Sequence, residues 1–306
     1  MKYPETIFFI GKGGVGKSTT SALVSMMFSM QNKKVALASF DYAHNQADIF
    51  NTELNDKPYA LSKFLKILQI DQDKEIKKYL KTTIRDVKKS YSYLTAFNLD
   101  GYFDVLKYSP GMEEYALVTT FLRLREEFKN YDYLIIDMPP TAVALRFFNL
   151  PTLSLKWIEQ LERLRLEINK KNEIISKIKF AGKEIERDKV LTKIYEIKKT
   201  YLNLKNIFQN HMGDENKSSI YIVFNNDLLS INETRRIVED LNTFNIYTQG
   251  LICNNKQAVE PDPAHLKSMP LYEQIKHLPF SKTPLIGERA LKEFISINNI
   301  STKYLL

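Results

Sequence analysis

Eight residues, Gly11-Lys12-Gly13-Gly14-Val15-Gly16-Lys17-Ser18, restrict what this chain can fold into more than any other feature. They satisfy the pattern G-x-x-x-x-G-K-[ST] and lie between the apolar run Thr6–Ile10 and the helix-like segment Thr19–Met30. Glycines let successive backbone N–H groups curl around phosphate oxygens, and the N-terminus of the following helix adds a favourable dipole. Strand, loop and helix must follow one another in that order, as they do here. The loop Gly11, Lys12, Gly13, Gly14, Val15 and Gly16, with Thr19 beyond it, is the expected nucleotide cradle. Lys17 is expected to reach the β- and γ-phosphates and Ser18 to ligate Mg²⁺.

Further β-branched or aromatic runs read as buried strands: Val35–Ser39, Tyr133–Asp137, Ile220–Phe224, Gly250–Asn254 and, more weakly, Phe103–Tyr108. Most are followed by a turn and a helical pattern, the signature of parallel βα units. The expected fold is α/β, a P-loop NTPase with a mostly parallel sheet flanked by helices. Two lysine-rich stretches read as helical insertions into this single domain of residues 1–306, at about 55–100 and 151–212. In the second, Trp157, Leu161, Leu164, Ile168, Lys171, Ile175 and Ile178 alternate spacings of four and three, as do Val190, Ile194, Ile197, Tyr201, Leu204 and Phe208. Each set lines one face of a helix, and Ala181-Gly182 fits the turn between two antiparallel helices. The plain expectation is a hairpin burying its own seam; the alternative is a lid or partner-binding subdomain.

Charge and cysteine content narrow the setting. Forty-four Lys/Arg against 36 Asp/Glu give +8, and residues 151–212 alone hold 14 basic and 8 acidic side chains. Such a surface is either a solvated helical face or one that attracts an anionic partner. The lone Cys253 excludes an internal disulfide and a cysteine-built metal site within one chain. No uninterrupted run of about 18 apolar residues spans a bilayer, and no long apolar segment precedes the first strand. The expectation is a cytoplasmic protein, peripheral at the membrane if it meets one.

Lys12, at the second loop position, marks the deviant form of the loop. After Val35–Ser39 comes Asp41-Tyr42-Ala43-His44-Asn45-Gln46-Ala47-Asp48-Ile49-Phe50, and after the strand ending at Asp137 comes Met138-Pro139-Pro140-Thr141-Ala142-Val143-Ala144-Leu145-Arg146-Phe147. The first resembles D-P-A-H-N-x-x-D-x-F, switch I of the arsenite-pump and tail-anchored-protein-targeting ATPases; the second resembles their switch II, D-T-A-P-T-G-H-T-L-R-F. Pro110-Gly111-Met112-Glu113-Glu114, Glu233-Thr234-Arg235-Arg236, the strand end at Asn254, and Pro279 with Gly287 and Leu291 resemble later motifs of that family.

The resemblance implies ATP and Mg²⁺ as cofactors. It implies that Asp41 positions and polarises the attacking water, that Asp137 holds Mg²⁺ through water, and that Lys12 crosses a homodimer interface to the partner's nucleotide. Asn254 and Pro279 are implied to contact the base. The implied job is ATP hydrolysis driving a dimeric switch that handles a hydrophobic or membrane-protein client, with a membrane-embedded partner conceivable and no specific nucleic acid. The alternatives are the ATPase subunit of an arsenite or anion pump and a nucleotide-dependent scaffold of partition type. The departures matter. Tyr42 replaces proline and Ala142-Val143 replace Gly-His. The cysteines that such proteins use for metalloid or zinc are missing, although soft thiolate ligands are required there, and a single cysteine also excludes a nitrogenase-type iron–sulfur cluster.

Overall fold

A computed structural model describes residues 3–43, 45–90, 111–179, 188–209, 218–254, 266–267 and 269–306, with the side chains of 86–90, 172–179 and 189 outside that description. The expected strand Phe103–Tyr108 falls outside these residues, as do Pro110, the hairpin turn Ala181-Gly182, His44, His211, Met212 and His265.

Eight strands form one sheet: β1 (Glu5–Ile10), β2 (Val35–Ser39), β3 (Tyr59–Ala60), β4 (Leu65–Gln69), β5 (Tyr133–Asp137), β6 (Ser218–Asn225), β7 (Gly250–Asn254) and β8 (Ile275–Leu278). Their order is β3-β4-β2-β5-β1-β6-β7-β8, and only the edge pair β3–β4 is antiparallel. The strands are apolar on both faces because helices cover both. Along β1 the side chains alternate between two cores: Phe8 and Ile10 face one, Ile7 and Phe9 the other.

The helices are α1 (Lys17–Met30), α2 (Asn45–Phe50), α3 (Gln72–Ser90), α4 (Met112–Glu127), α5 (Thr141–Lys179), α6 (Lys189–Gln209), α7 (Leu228–Thr243), α8 (Gly287–Ile297) and α9 (Thr302–Leu305). Phe121 of α4, Phe147 and Phe148 of α5 and Phe208 of α6 gather around Phe8, each ring within 5.1–6.1 Å of it, centroid to centroid. This aromatic cluster roots the two longest helices on the sheet, with edge-to-face pairs that add to the area buried.

Three expectations need correction. Residues 59–69 are not helical but form β3 and β4, and β4 pairs in parallel with β2. Lys66 hides that strand in the sequence; its chain lies half-buried while its ammonium reaches the Tyr131 ring at 5.8 Å. The long helix begins not at Pro151 but ten residues earlier at Thr141, with Pro151 inside it. There the missing N–H leaves the Phe147 carbonyl without its usual helical donor. Finally, the stripe Trp157, Leu161, Leu164 and Ile168 does not line the hairpin seam: all four side chains are exposed, Trp157 by 70%. The seam is polar on the α5 side. Arg165 grips Asp188 through two bonds of 2.8 and 3.1 Å, Lys198 meets Glu162 at 2.6 Å, and Ile158 supplies apolar contact area. Asp188 also caps α6, accepting from the N–H groups of Val190 and Leu191. The Arg165 guanidinium holds its carboxyl well below the usual range. On α6 the expectation holds where the helix meets the sheet, since Leu204 and Phe208 are buried.

This arrangement predicts unequal costs for two aromatic truncations. Phe208→Ala opens a cavity in the aromatic cluster and lowers stability by about 3–5 kcal/mol. Trp157→Ala changes it by no more than about 0.5 kcal/mol, because the ring is already in water. Urea denaturation of both variants measures the difference; a large cost at Trp157 would mean that α5 buries the opposite face.

Candidate nucleotide and metal site

The registers Phe9↔Asp137 and Ser39↔Asp137 bring the C-terminal ends of β1, β2 and β5 to one level. In an open parallel sheet this edge, beside the strand where the order reverses, is where ligands bind. Here it carries the loop 11–18 after β1, Asp41 after β2, Asp137 at the end of β5 and Asn254 at the end of β7. The structure therefore brings together all the residues expected at the phosphate end of the site.

The loop is shaped by its glycines. Gly11 has φ 148°, and a Cβ there would strike the Val223 carbonyl oxygen. Gly16 has φ 95°, and a Cβ would collide with the Asn254 amide. Lys17 follows, buried, with Nζ donating to the Lys12 carbonyl oxygen at 3.2 Å. Burial lowers its pKa, opposed by the charges of Asp137, Asp41 and Glu233. An ammonium held in this way gains from any polyanion that enters the loop.

Asp137 is fully buried, and desolvation raises its carboxyl to about pH 6 despite hydrogen bonds from Gln46 and Ser18 and the nearby charge of Lys17. Its Oδ2 accepts from Gln46 Nε2 at 3.0 Å and from Ser39 Oγ at 3.5 Å. Its Oδ1 is buried with no partner among the described residues. A hydroxyl and a carboxylate with an unused oxygen are hard donors, the set that suits Mg²⁺. The residues present thus fit the expected cation, with Ser18 and Asp137 as its holders. Asp41 is buried at the mouth of this cluster, its Oδ1 accepting from the Ala43 N–H at 3.2 Å.

Asn254 Nδ2 donates to the Val15 carbonyl oxygen at 2.8 Å, so the amide expected at the base also ties β7 to the loop. A cleft of about 180 Å³ opens beside it, lined by Asn254, Pro279, Thr19, Leu278 and Phe280. Thr19, Asn254 and Pro279, distant in sequence, share this one wall. Lys12 is half-exposed at the rim, 4.0 Å from Glu233, whose other oxygen accepts from Thr141 Oγ1 at 2.7 Å. Glu233 lies inside α7, which begins at Leu228 and is capped by Asp227.

Two contributors escaped the sequence reading. Gln46 stands at a position of switch I that the resemblance leaves unspecified, yet it reaches Asp137. Tyr42, in place of proline, donates its hydroxyl to Glu113 of α4, whose neighbour Glu114 pairs with Arg146 of α5.

Asp137 generates a pH prediction. Its folded value of about 6 lies above the ordinary 3.8, so the fold favours the neutral acid. The resulting penalty is fully present above about pH 6, fades as pH falls toward 3.8, and is absent below. Asp137→Asn, measured by thermal melts in EDTA without nucleotide, should stabilise the protein at pH 7.5 by up to about 3 kcal/mol. The gain should vanish near pH 4. A variant less stable than the native chain at pH 7.5 would contradict this.

Comparison with known proteins agrees with the geometry. Residues 4–274 match the family described as anion-transporting ATPase. The chain is 30% identical to the putative arsenical pump-driving ATPase 2 of Aquifex aeolicus, over 95% of this chain and 97% of that protein. It is 28% identical to an ATPase ASNA1 homolog of Plasmodium vivax, over 98% of this chain and 78% of that one. An ATPase ASNA1 homolog of Paramecium tetraurelia is 28% identical over 84% and 76% respectively. With its phosphate loop, two switch segments and buried aspartate on one sheet edge, the chain belongs to the anion-transporting ATPase family and is an ATP-hydrolysing enzyme.

Proposed function

We propose that the enzyme is a Mg-ATP-driven dimeric switch that handles a hydrophobic or membrane-bound protein client in the cytoplasm. The observation that carries this reading is the path of α5. The helix starts four residues after Asp137, at the phosphate end of the site, and runs without a break to Lys179. At 1.5 Å per residue, Trp157 lies about 24 Å and Ile168 about 40 Å along it. One helix thus joins the segment that senses the γ-phosphate to an exposed apolar stripe, which is a suitable surface for an apolar partner.

In the hydrolytic step, the loop N–H groups and Lys17 hold the phosphates, and Asp41 orients the attacking water and accepts its proton as the bond to the γ-phosphorus forms and the bond from that phosphorus to the β–γ bridging oxygen breaks, so that ADP leaves. Phosphoryl transfer depends mainly on such positioning and charge stabilisation. Ser18 and, through water, Asp137 would hold Mg²⁺, which would supply charge neutralisation on the phosphate oxygens. Lys12 acts in trans: in the single chain its ammonium lies beside Glu233 at the rim, and a second chain offers it phosphate oxygens instead.

Single-turnover hydrolysis at several protein concentrations tests this assignment. Asp41→Asn should retain nucleotide and slow hydrolysis by about 10²–10⁴-fold. Lys12→Ala should slow it and abolish the rise of specific rate with concentration. Equal loss of binding and turnover in Asp41→Asn would make Asp41 structural, and a concentration-independent native rate would remove the dimer.

The arsenical-pump relative favours a second reading, the ATPase of an anion pump. Against it stands the chemistry of Cys253, buried within β7, where desolvation pushes its thiol up to about 12. A thiol kept protonated is a poor metalloid ligand. Submillimolar arsenite should leave the steady-state ATPase rate unchanged, and a saturable several-fold stimulation would restore the pump reading.

A further inference from the structure

Helix α2 carries one fully buried polar side chain, Gln46, at 0% exposure. Its Nε2 lies 3.0 Å from the Ser18 carbonyl oxygen, 2.9 Å from Ser21 Oγ and 3.0 Å from Asp137 Oδ2. Two amide hydrogens therefore face three acceptors. Charge fixes which way the amide points, because turning it would set Oε1 against a carbonyl and a carboxylate. One side chain thus joins three separate segments: switch I, the first turns of α1, and the end of β5.

The arrangement acts on Asp137. Its Oδ2 is held by Gln46 and, at longer range, Ser39, and Oδ1 is left without a protein donor. A carboxylate held through one oxygen presents the other in a defined direction, which is how groups behind a metal ligand orient it. Gln46 Oε1 is buried and likewise without a partner among the described residues. Two buried acceptors therefore flank the one hydrogen bond that links the two side chains. Buried polar atoms of this kind call for water or an ion, and a hydrated divalent cation supplies both donors and charge. Gln46 also sits on the same short segment as Asn45, whose Nδ2 is 3.5 Å from Ser18 Oγ.

We infer that Gln46 is a positioning residue for the metal: it aims Asp137 at the cation shared with Ser18 and ties that aim to the placement of switch I. The inference rests on the reading above in which Ser18 and Asp137 hold Mg²⁺. An apolar side chain at position 46 would remove that 3.0 Å donor and leave Asp137 with the longer Ser39 contact and the Ser18 hydroxyl, a weaker hold on its direction. The phosphate loop itself would stay intact, since its shape is set by the glycines and by Asn254.

Equilibrium binding of a fluorescent ATP analogue, first in EDTA and then across a Mg²⁺ titration, tests this without requiring hydrolysis. Gln46→Met keeps the length of the side chain and removes the donor. It should bind the analogue in EDTA within about threefold of the native chain, while the Mg²⁺ concentration for half-maximal strengthening rises about 10–100-fold. Gln46→Leu carries the same expectation should methionine prevent folding. Ser21→Ala removes a different partner of the same amide and should move the Mg²⁺ midpoint less than about twofold. A Mg²⁺-dependent native protein whose midpoint is unmoved in both position-46 variants overturns this inference alone. So does an equal loss with and without Mg²⁺, which would make Gln46 a support of the loop. A native protein whose analogue binding ignores Mg²⁺ overturns the metal assignment and this inference with it.

Discussion

Lys17 takes its ammonium into the interior at the first turn of α1. There it meets the Lys12 carbonyl oxygen, with Asp137, Asp41 and Glu233 as the surrounding negative charge. Burial shifts Lys17 and Asp137 each toward its neutral form, so their mutual attraction does not offset what they lose in leaving water. In the reading proposed above, a polyphosphate and a divalent cation together would satisfy both, the anion meeting the ammonium and the cation the carboxylate. The site would then be half of an ionic cluster, built into a sheet edge and completed by Mg-ATP. The fully buried Asp137 is tolerated because the two cores hold the strands from both faces.

From this cluster two routes lead outward. Asp137 leads into α5, which beyond Pro151 displays Trp157, Leu161, Leu164 and Ile168 to solvent. Asp41 passes into the turn carrying Tyr42, which holds Glu113 at the start of α4, while Glu114 beside it holds Arg146 on α5. Both switch segments are therefore fastened to the first turn of α4. Where the family motif has Gly-His, Ala142 and Val143 lie in the first turn of α5, with no hinge glycine there.

The site was more legible in the sequence than the helices were. A loop that must wrap phosphates needs glycines at fixed places, so Gly11 to Ser18 could be read directly; Asp137 closes an apolar strand, and Asp41 was marked by the resemblance of its segment to the family's switch I. Strand β4 was hidden because Lys66 interrupts an apolar run within a lysine-rich stretch. The α5 stripe misled for a different reason. A four-three spacing reveals which residues share a face but not whether that face is covered, and here Arg165 and Glu162 make the contacts to Asp188 and Lys198 instead. Gln46 was invisible because its value lies in what three distant segments place around it, and no local pattern encodes that.

The account rests most directly on the charge of Lys17, and the thermal stabilisation conferred by ATP measures it. Saturating Mg-ATP should raise the melting temperature of the native chain, since a ligand at 100 times its Kd contributes about 2.7 kcal/mol. In Lys17→Ala that rise should disappear, while the ligand-free melting temperature stays equal or increases because a desolvated charge has been removed. A Lys17→Ala protein that gains as much from Mg-ATP as the native chain would contradict the account.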